Sequence, residues 1–103
     1  MNLTFLDKEH SLNKVLKSQK ASNSNIKILF ISLWDSYSTA LVEKLKEKNS
    51  SAGSPLYVVD SFEMPHSFII FNTFKVPHLV SLRGNKVKSE EYLPRIYKQL
   101  DIK

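Results

Sequence analysis

With 103 residues, 42% of them hydrophobic, the chain has room for a single domain, residues 1–103, whose core needs no staples. Its 15 Lys and Arg outnumber 10 Asp and Glu for a net charge of +5, and it has no cysteine, which excludes disulfides, thiol redox catalysis and cysteine-ligated zinc. No apolar run nears the roughly 20 residues that cross a bilayer, and Met1 to Asp7 lacks the marks of a signal peptide. A soluble, cytoplasmic protein without a membrane partner is therefore expected, in the host cytoplasm if a virus encodes it.

Asn2 to Leu6 reads as a first strand, built on Leu3, Phe5 and Leu6. Asp7 is expected to cap a helix with Glu9 in its acid-favoured first turn. Leu12, Val15 and Leu16 share one face of that helix, which should end near Lys20. The polar residues 21–25 break it. Ile26 to Leu33 is almost continuously apolar, the pattern of a strand covered on both faces in a parallel sheet. A second helix is predicted from Ser36 to Lys48, with Leu41, Val42 and Leu45 inward.

After a loop over 49–54, Pro55 to Asp60 forms a third strand. Residues 61–75 are ambiguous. Pro65 suits the first turn of a helix, yet Phe68 to Phe71 favours a strand, and propensity alone leaves 66–74 open between the two. His78 to Arg83 and Lys86 to Lys88 read as a hairpin about Gly84 and Asn85, with glycine first favouring a type II′ turn. A last helix is expected from near Ser89, with Glu90 and Glu91 in its first turn. Leu93, Ile96, Tyr97 and Leu100 make its inward stripe, and Pro94 is an irregularity within it.

Two local signatures add to this order: Trp34 and the short polar turn before the second helix, and Val76-Pro77 before the hairpin. With them, the chain resembles the thioredoxin-like superfamily over essentially its whole length. The resemblance implies an α/β thioredoxin-like fold, a mixed four- to five-stranded sheet flanked by helices in the order β-α-β-α-β-α-β-β-α. It also implies a short helix within 61–75 and a cis-proline at Pro77. In the family, two cysteines of a Trp-Cys-x-x-Cys motif open the second helix; here Asp35-Ser36-Tyr37-Ser38 stands there, so those positions read Asp35 and Ser38. The buried acid that redox-active relatives carry on the preceding strand is Leu29. The resemblance thus implies a redox-inactive member, with no cofactor and no enzymatic activity.

Asp35 is expected to serve as a helix cap rather than a reactive group. The loop of Val76 and Pro77 would lie across from it, in the groove where relatives hold an extended peptide or glutathione against the backbone. The expected partner-binding surface is therefore Trp34, Asp35, Ser36, Tyr37, Ser38, Val76, Pro77 and His78. The expected function is protein binding, as an adaptor or a subunit of a larger assembly. A Ser-His-Asp reading of His78 with Asp35 and Ser36 or Ser38 would need a nucleophile–base hydrogen bond, an orienting acid and an oxyanion hole, and no Gly-x-Ser-x-Gly elbow is present. His10, His66 and His78 lack metal-ligand spacing.

Two alternatives stand beside protein binding. Arg83, Lys86, Lys88, Arg95 and Lys98 form a candidate basic patch for nucleic acid, with Glu90 and Glu91 inside it. A glutathione-binding, transferase-like protein would use Ser36, Tyr37 or Ser38 to hold a thiolate, but the chain has no residues for the helical second domain such enzymes use. Phe62, Met64, Phe68, Phe71 and Phe74 are expected to be mostly core, with one or two exposed near the groove.

Overall fold

The apolar run that follows Asn25 becomes the middle strand of the molecule, and the rest is arranged to cover it. A computed structural model describes residues 2–22, 25–48, 55–71, 73, 75–84 and 86–100. In chain order it contains β1 (Asn2–Leu6), α1 (Glu9–Ser22), β2 (Asn25–Ile31), α2 (Ser36–Glu47), β3 (Pro55–Asp60), α3 (Pro65–Ile70), β4 (His78–Arg83), β5 (Lys86–Tyr92) and α4 (Arg95–Gln99). The five strands form one mixed sheet in the order β1-β3-β2-β4-β5. β1, β3 and β2 run parallel, while β4 and β5 are antiparallel to their neighbours.

β2 has a hydrogen-bonded neighbour on each side and a helical layer over each face. That is why Ile28, Leu29, Phe30 and Ile31 are all fully buried, without the alternation of a one-sided strand. Leu29 and Ile31 face α2 and α4, against Leu41, Val42, Leu45 and Ile96. Ile28 and Phe30 face the other way, against Leu12 of α1 and Met64, and Phe68 packs there too. Phe30 meets Phe68 edge to face, with ring centroids 5.1 Å apart. Each such side chain stabilises the fold by about 1.5–3 kcal/mol through burial alone.

α3 has six residues, begins with Pro65, and its capping residue Met64 makes no side-chain hydrogen bond. Helices this short do not hold themselves in water. Glu9, in the first turn of α1, supplies what is missing: Oε1 accepts the Ser67 N–H at 3.2 Å and Oε2 accepts the Ser67 hydroxyl at 2.6 Å. Helix, not strand, is the outcome for Pro65–Ile70.

Several boundaries differ from expectation. The cap position of α1 is Lys8, whose carbonyl accepts the Leu12 N–H, so Asp7 lies one residue outside it. α1 continues to Ser22, and β2 starts at Asn25 and stops at Ile31, because Ser32 already turns the chain. β5 does not stop at Lys88. It runs on to Tyr92, pairing along the whole of β4 through a register shift at Ser81 and Leu82. Ser89, Glu90 and Glu91 are therefore strand residues, because the outer edge of β4 needs backbone partners that a helix would not provide. α4 is left with five residues, and Pro94 stands at its cap rather than inside it. The hairpin turn has the expected two residues, with Gly84 at φ 62°, and Asn85 lies outside the described residues. The loop 49–54 and Phe74 also lie outside them.

Candidate functional site

The turn between β2 and α2 is held by a closed set of hydrogen bonds. Ser32 accepts twice, its carbonyl from the Asp35 N–H at 3.0 Å and its hydroxyl from the Trp34 N–H at 3.3 Å. The Leu33 N–H donates to Asp60 Oδ1 at 3.0 Å. Asp35 has extended backbone and caps α2 as expected: its Oδ2 accepts both the N–H and the hydroxyl of Ser38, each at 2.9 Å. The Ser38 oxygen in turn accepts the Ser32 N–H at 3.3 Å. Ser38 is fully buried and its hydroxyl is committed to this network.

With its backbone secured, the turn holds its apolar side chains outward. Trp34 is 85% exposed and Tyr37 67% exposed, and Leu33 and Phe62 are exposed as well. Phe62 follows the end of β3, where the Ser61 N–H donates to the Ile31 carbonyl at 2.9 Å, so it belongs to the same end of the sheet. Leu33 was not among the expected site residues; its signal is an apolar residue persisting after Ser32 has ended the strand. Ser36 is exposed too.

Pairing of Phe30 with His78 brings the start of β4 to the end of β2, and so sets Val76 and Pro77 at the end of the sheet that carries the Trp34 turn. The Val76–Pro77 peptide bond is cis. Val76 is half-buried and Pro77 is buried. His78 does not join the surface. Strand alternation puts His78, Val80 and Leu82 on the face of α1 and α3, whereas Ser38 and Asp35 belong to α2 on the opposite face. The ring is fully buried, stacked on Tyr92 at 4.4 Å. Nδ1 shares a 2.9 Å hydrogen bond with Thr73 Oγ1, and Nε2 lies 3.2 Å from Glu90 Oε1, without the alignment of a hydrogen bond. Burial holds the His78 pKa below its ordinary value, partly offset by the Glu90 charge. A Ser-His-Asp arrangement is thereby ruled out by the sheet itself, which separates His78 from both serines.

Of the expected surface, then, Trp34, Ser36 and Tyr37 are presented to solvent, Asp35 and Val76 partly so, and Ser38, Pro77 and His78 are interior. The basic residues divide. Arg83, Lys86 and Lys88 are exposed on the hairpin, at the end of the sheet remote from Trp34, and Lys98 adjoins Gln99, whose carbonyl accepts from Lys27 Nζ at 3.5 Å. Arg95 begins α4, after Tyr92, which pairs with His78. Among the described residues no group of three His, Asp or Glu side chains is placed to hold a metal ion.

This architecture, with its parallel β1-β3-β2 half and antiparallel hairpin half, is similar over almost the whole chain to solved structures. Thioredoxin from Schistosoma mansoni superposes with a TM-score of 0.81, at 17% identity over 97% of this chain and 91% of its own. The fold is thioredoxin-like. A poplar thioredoxin h is similar over 98% of this chain and 95% of its own, with TM-score 0.79 and 13% identity. Thioredoxin O2 of Arabidopsis thaliana, in the oxidised state, gives 0.76 and 19% over 96% and 94%. Identities this low show a shared fold alone. No protein-family model matches the chain, and no curated protein does. Within this thioredoxin-like frame, with no cysteine in the chain, the two ends of the first helical turn of α2 are joined by the Asp35–Ser38 hydrogen bonds. Leu29, at the buried-acid position, is packed in the apolar core.

Proposed function

We propose that the protein is a redox-inactive, thioredoxin-like binding module that acts in the cytoplasm through protein contacts, as an adaptor or a subunit of a larger assembly. The observation that carries this reading is the pair Trp34 and Tyr37, 85% and 67% exposed where β2 passes into α2, on a segment in which the N–H groups of Ser32 to Asp35 are all hydrogen-bonded. Aromatic side chains on a preorganised backbone bind a partner without a large ordering cost, and Trp and Tyr are the residues most enriched where binding energy concentrates. The chain offers no thiol for exchange, and the side chains at the family's cysteine positions, Asp35 and Ser38, bond to each other and to the backbone of the turn and of α2.

The test is capture of a partner from the native host by the intact protein, compared with Trp34→Ala and Tyr37→Ala, with circular dichroism confirming the fold of each. Both substitutions should weaken capture. Undiminished capture by both would place the interface elsewhere. An insulin-reduction or glutathione-conjugation assay should give no turnover above blank; clear turnover would restore the transferase-like alternative, for which Ser36 and Tyr37 are the accessible hydroxyls.

A second reading rests on the exposed trio Arg83, Lys86 and Lys88 of the hairpin, which suits a nucleic-acid backbone. Phosphate binding would weaken steeply with salt, whereas docking at Trp34 would not.

A further inference from the structure

Among the described residues, one carboxyl group is buried and only half satisfied. Asp60, the last residue of β3, is 8% exposed, and while its Oδ1 accepts the Leu33 N–H, its Oδ2 has no partner. Alternation along β3 sends Asp60 to the same face as Val58, the face covered by α2. A cleft of about 300 Å³ opens there, between α2 and the carboxyl ends of β1, β2 and β3, and Asp60 lines it. Carboxyl ends of parallel strands are where open α/β sheets place their ligands.

The lining has two parts. Phe5, Ile31, Leu33, Val42 and Val58 make an apolar wall, and Asp7, Glu43, Glu63 and Lys46 accompany Asp60 as the charged groups. Lys46 is the one cation among these residues, and it is engaged, with Nζ 3.6 Å from Glu43 Oε1 and 5.9 Å from the centroid of the Phe5 ring. Asp7, Asp60 and Glu63 have no ion-pair partner among the described residues. In a chain of net charge +5, the cleft is a local concentration of acid. Its acids are not placed as a metal cluster, and an apolar wall does not replace the oxygen ligands a hard cation needs.

We propose that this cleft binds a small aliphatic amine, with its ammonium group at Asp60 and its hydrocarbon stem along Leu33, Val42 and Val58. An ammonium carries three donors and no acceptor, which complements a carboxyl oxygen lacking a partner. The resulting hydrogen bond is charge-assisted and shielded from water, and so stronger than a neutral one. The half-exposed Phe5 ring offers a cation–π wall. The volume lies at the small end of ligand pockets, which span about 300–1,000 Å³. A short-chain amine suits this volume, and the carboxylates of Asp7, Glu43, Asp60 and Glu63 disfavour the anionic phosphate of a nucleotide. This proposal does not depend on protein docking at Trp34.

The test is titration of isotope-labelled protein with n-pentylamine hydrochloride at constant ionic strength, following backbone amide shifts. n-Pentanol and sodium pentanoate serve as probes with the same stem and no positive charge. Saturable shifts at Leu33, Thr39 and Val58 to Asp60 are expected with the amine, and the other two probes should bind about tenfold more weakly or less. Asp60→Asn keeps an oxygen for the Leu33 N–H while removing the charge, and should lower amine affinity about tenfold or more. The double variant Asp7→Asn with Glu63→Gln, both exposed, should lower it about two- to fivefold. No saturable shift, equal binding of n-pentanol, or unchanged affinity in Asp60→Asn would overturn the proposal. If Asp60→Asn fails to fold, unchanged affinity in the double variant overturns it instead.

Discussion

Trp34 and His78 are aromatic residues at the same end of the sheet, one just past the end of β2 and the other opening β4. They are treated in opposite ways. Around Trp34 the hydrogen bonds are spent on backbone: Ser32, Asp35, Ser38 and Asp60 satisfy the N–H groups of the turn and leave the indole in water. Around His78 the bonds and contacts go to the side chain, which Thr73, Tyr92 and Glu90 enclose. The first arrangement presents a side chain to a partner, and the second removes one from reach. Sharing one end of a sheet does not make residues part of one surface; the face on which a side chain emerges decides it.

That contrast is sharpened first by setting a buried aromatic against the exposed one. Phe30→Ala, which opens a void beneath Phe68 and Phe71, should cost about 3–5 kcal/mol in a denaturant titration. Next in size is the turn itself. Asp35→Ala removes the cap and the bond to the Ser38 hydroxyl, and should cost about 0.5–2 kcal/mol by the same measurement.

His78 should make stability depend on pH. Its folded pKa lies below the ordinary value, so the unfolded chain takes up a proton first as pH falls. The contribution of the neutral ring is complete above about pH 6.5 and declines as the pH drops from there toward the lowered folded value. Glu90→Gln removes the group that opposes the shift and should steepen the decline. His78→Asn should flatten it, with thermal midpoints across that range as the readout. Smallest of all, Trp34→Ala should change stability by no more than about 0.5 kcal/mol. A larger loss would mean that the indole supports the turn rather than being displayed by it.

The order of the elements was legible because most of the chain signals its state locally: a continuous apolar run for β2, helical spacing of Leu41, Val42 and Leu45, and a glycine turn between β4 and β5. The boundary after Lys88 was not. Glu90 and Glu91 look like the first turn of a helix, yet they pair with Val80 and Leu79 in a ladder that no local pattern announces. The site was legible in part. Asp35 as a cap follows from residue type and place, and Trp34 and Tyr37 follow from their position beside it. That His78 would turn away from them depends on strand parity and on Phe30 as its cross-strand neighbour. Asp60 gave no sign at all, since a single acid at a strand end acquires meaning only when the Leu33 amide and the α2 face close around it.

Glu9 has a consequence for the order in which the molecule loosens. α3 is six residues long, and both oxygens of the α1 carboxylate hold its Ser67. The organisation of α3 is thus borrowed from a residue 58 positions earlier in the chain. Ile69 and Ile70 ride on that borrowed turn, 75% and 54% exposed. Whatever loosens the grip of Glu9 would change how those two isoleucines meet their surroundings while the sheet beneath stays intact.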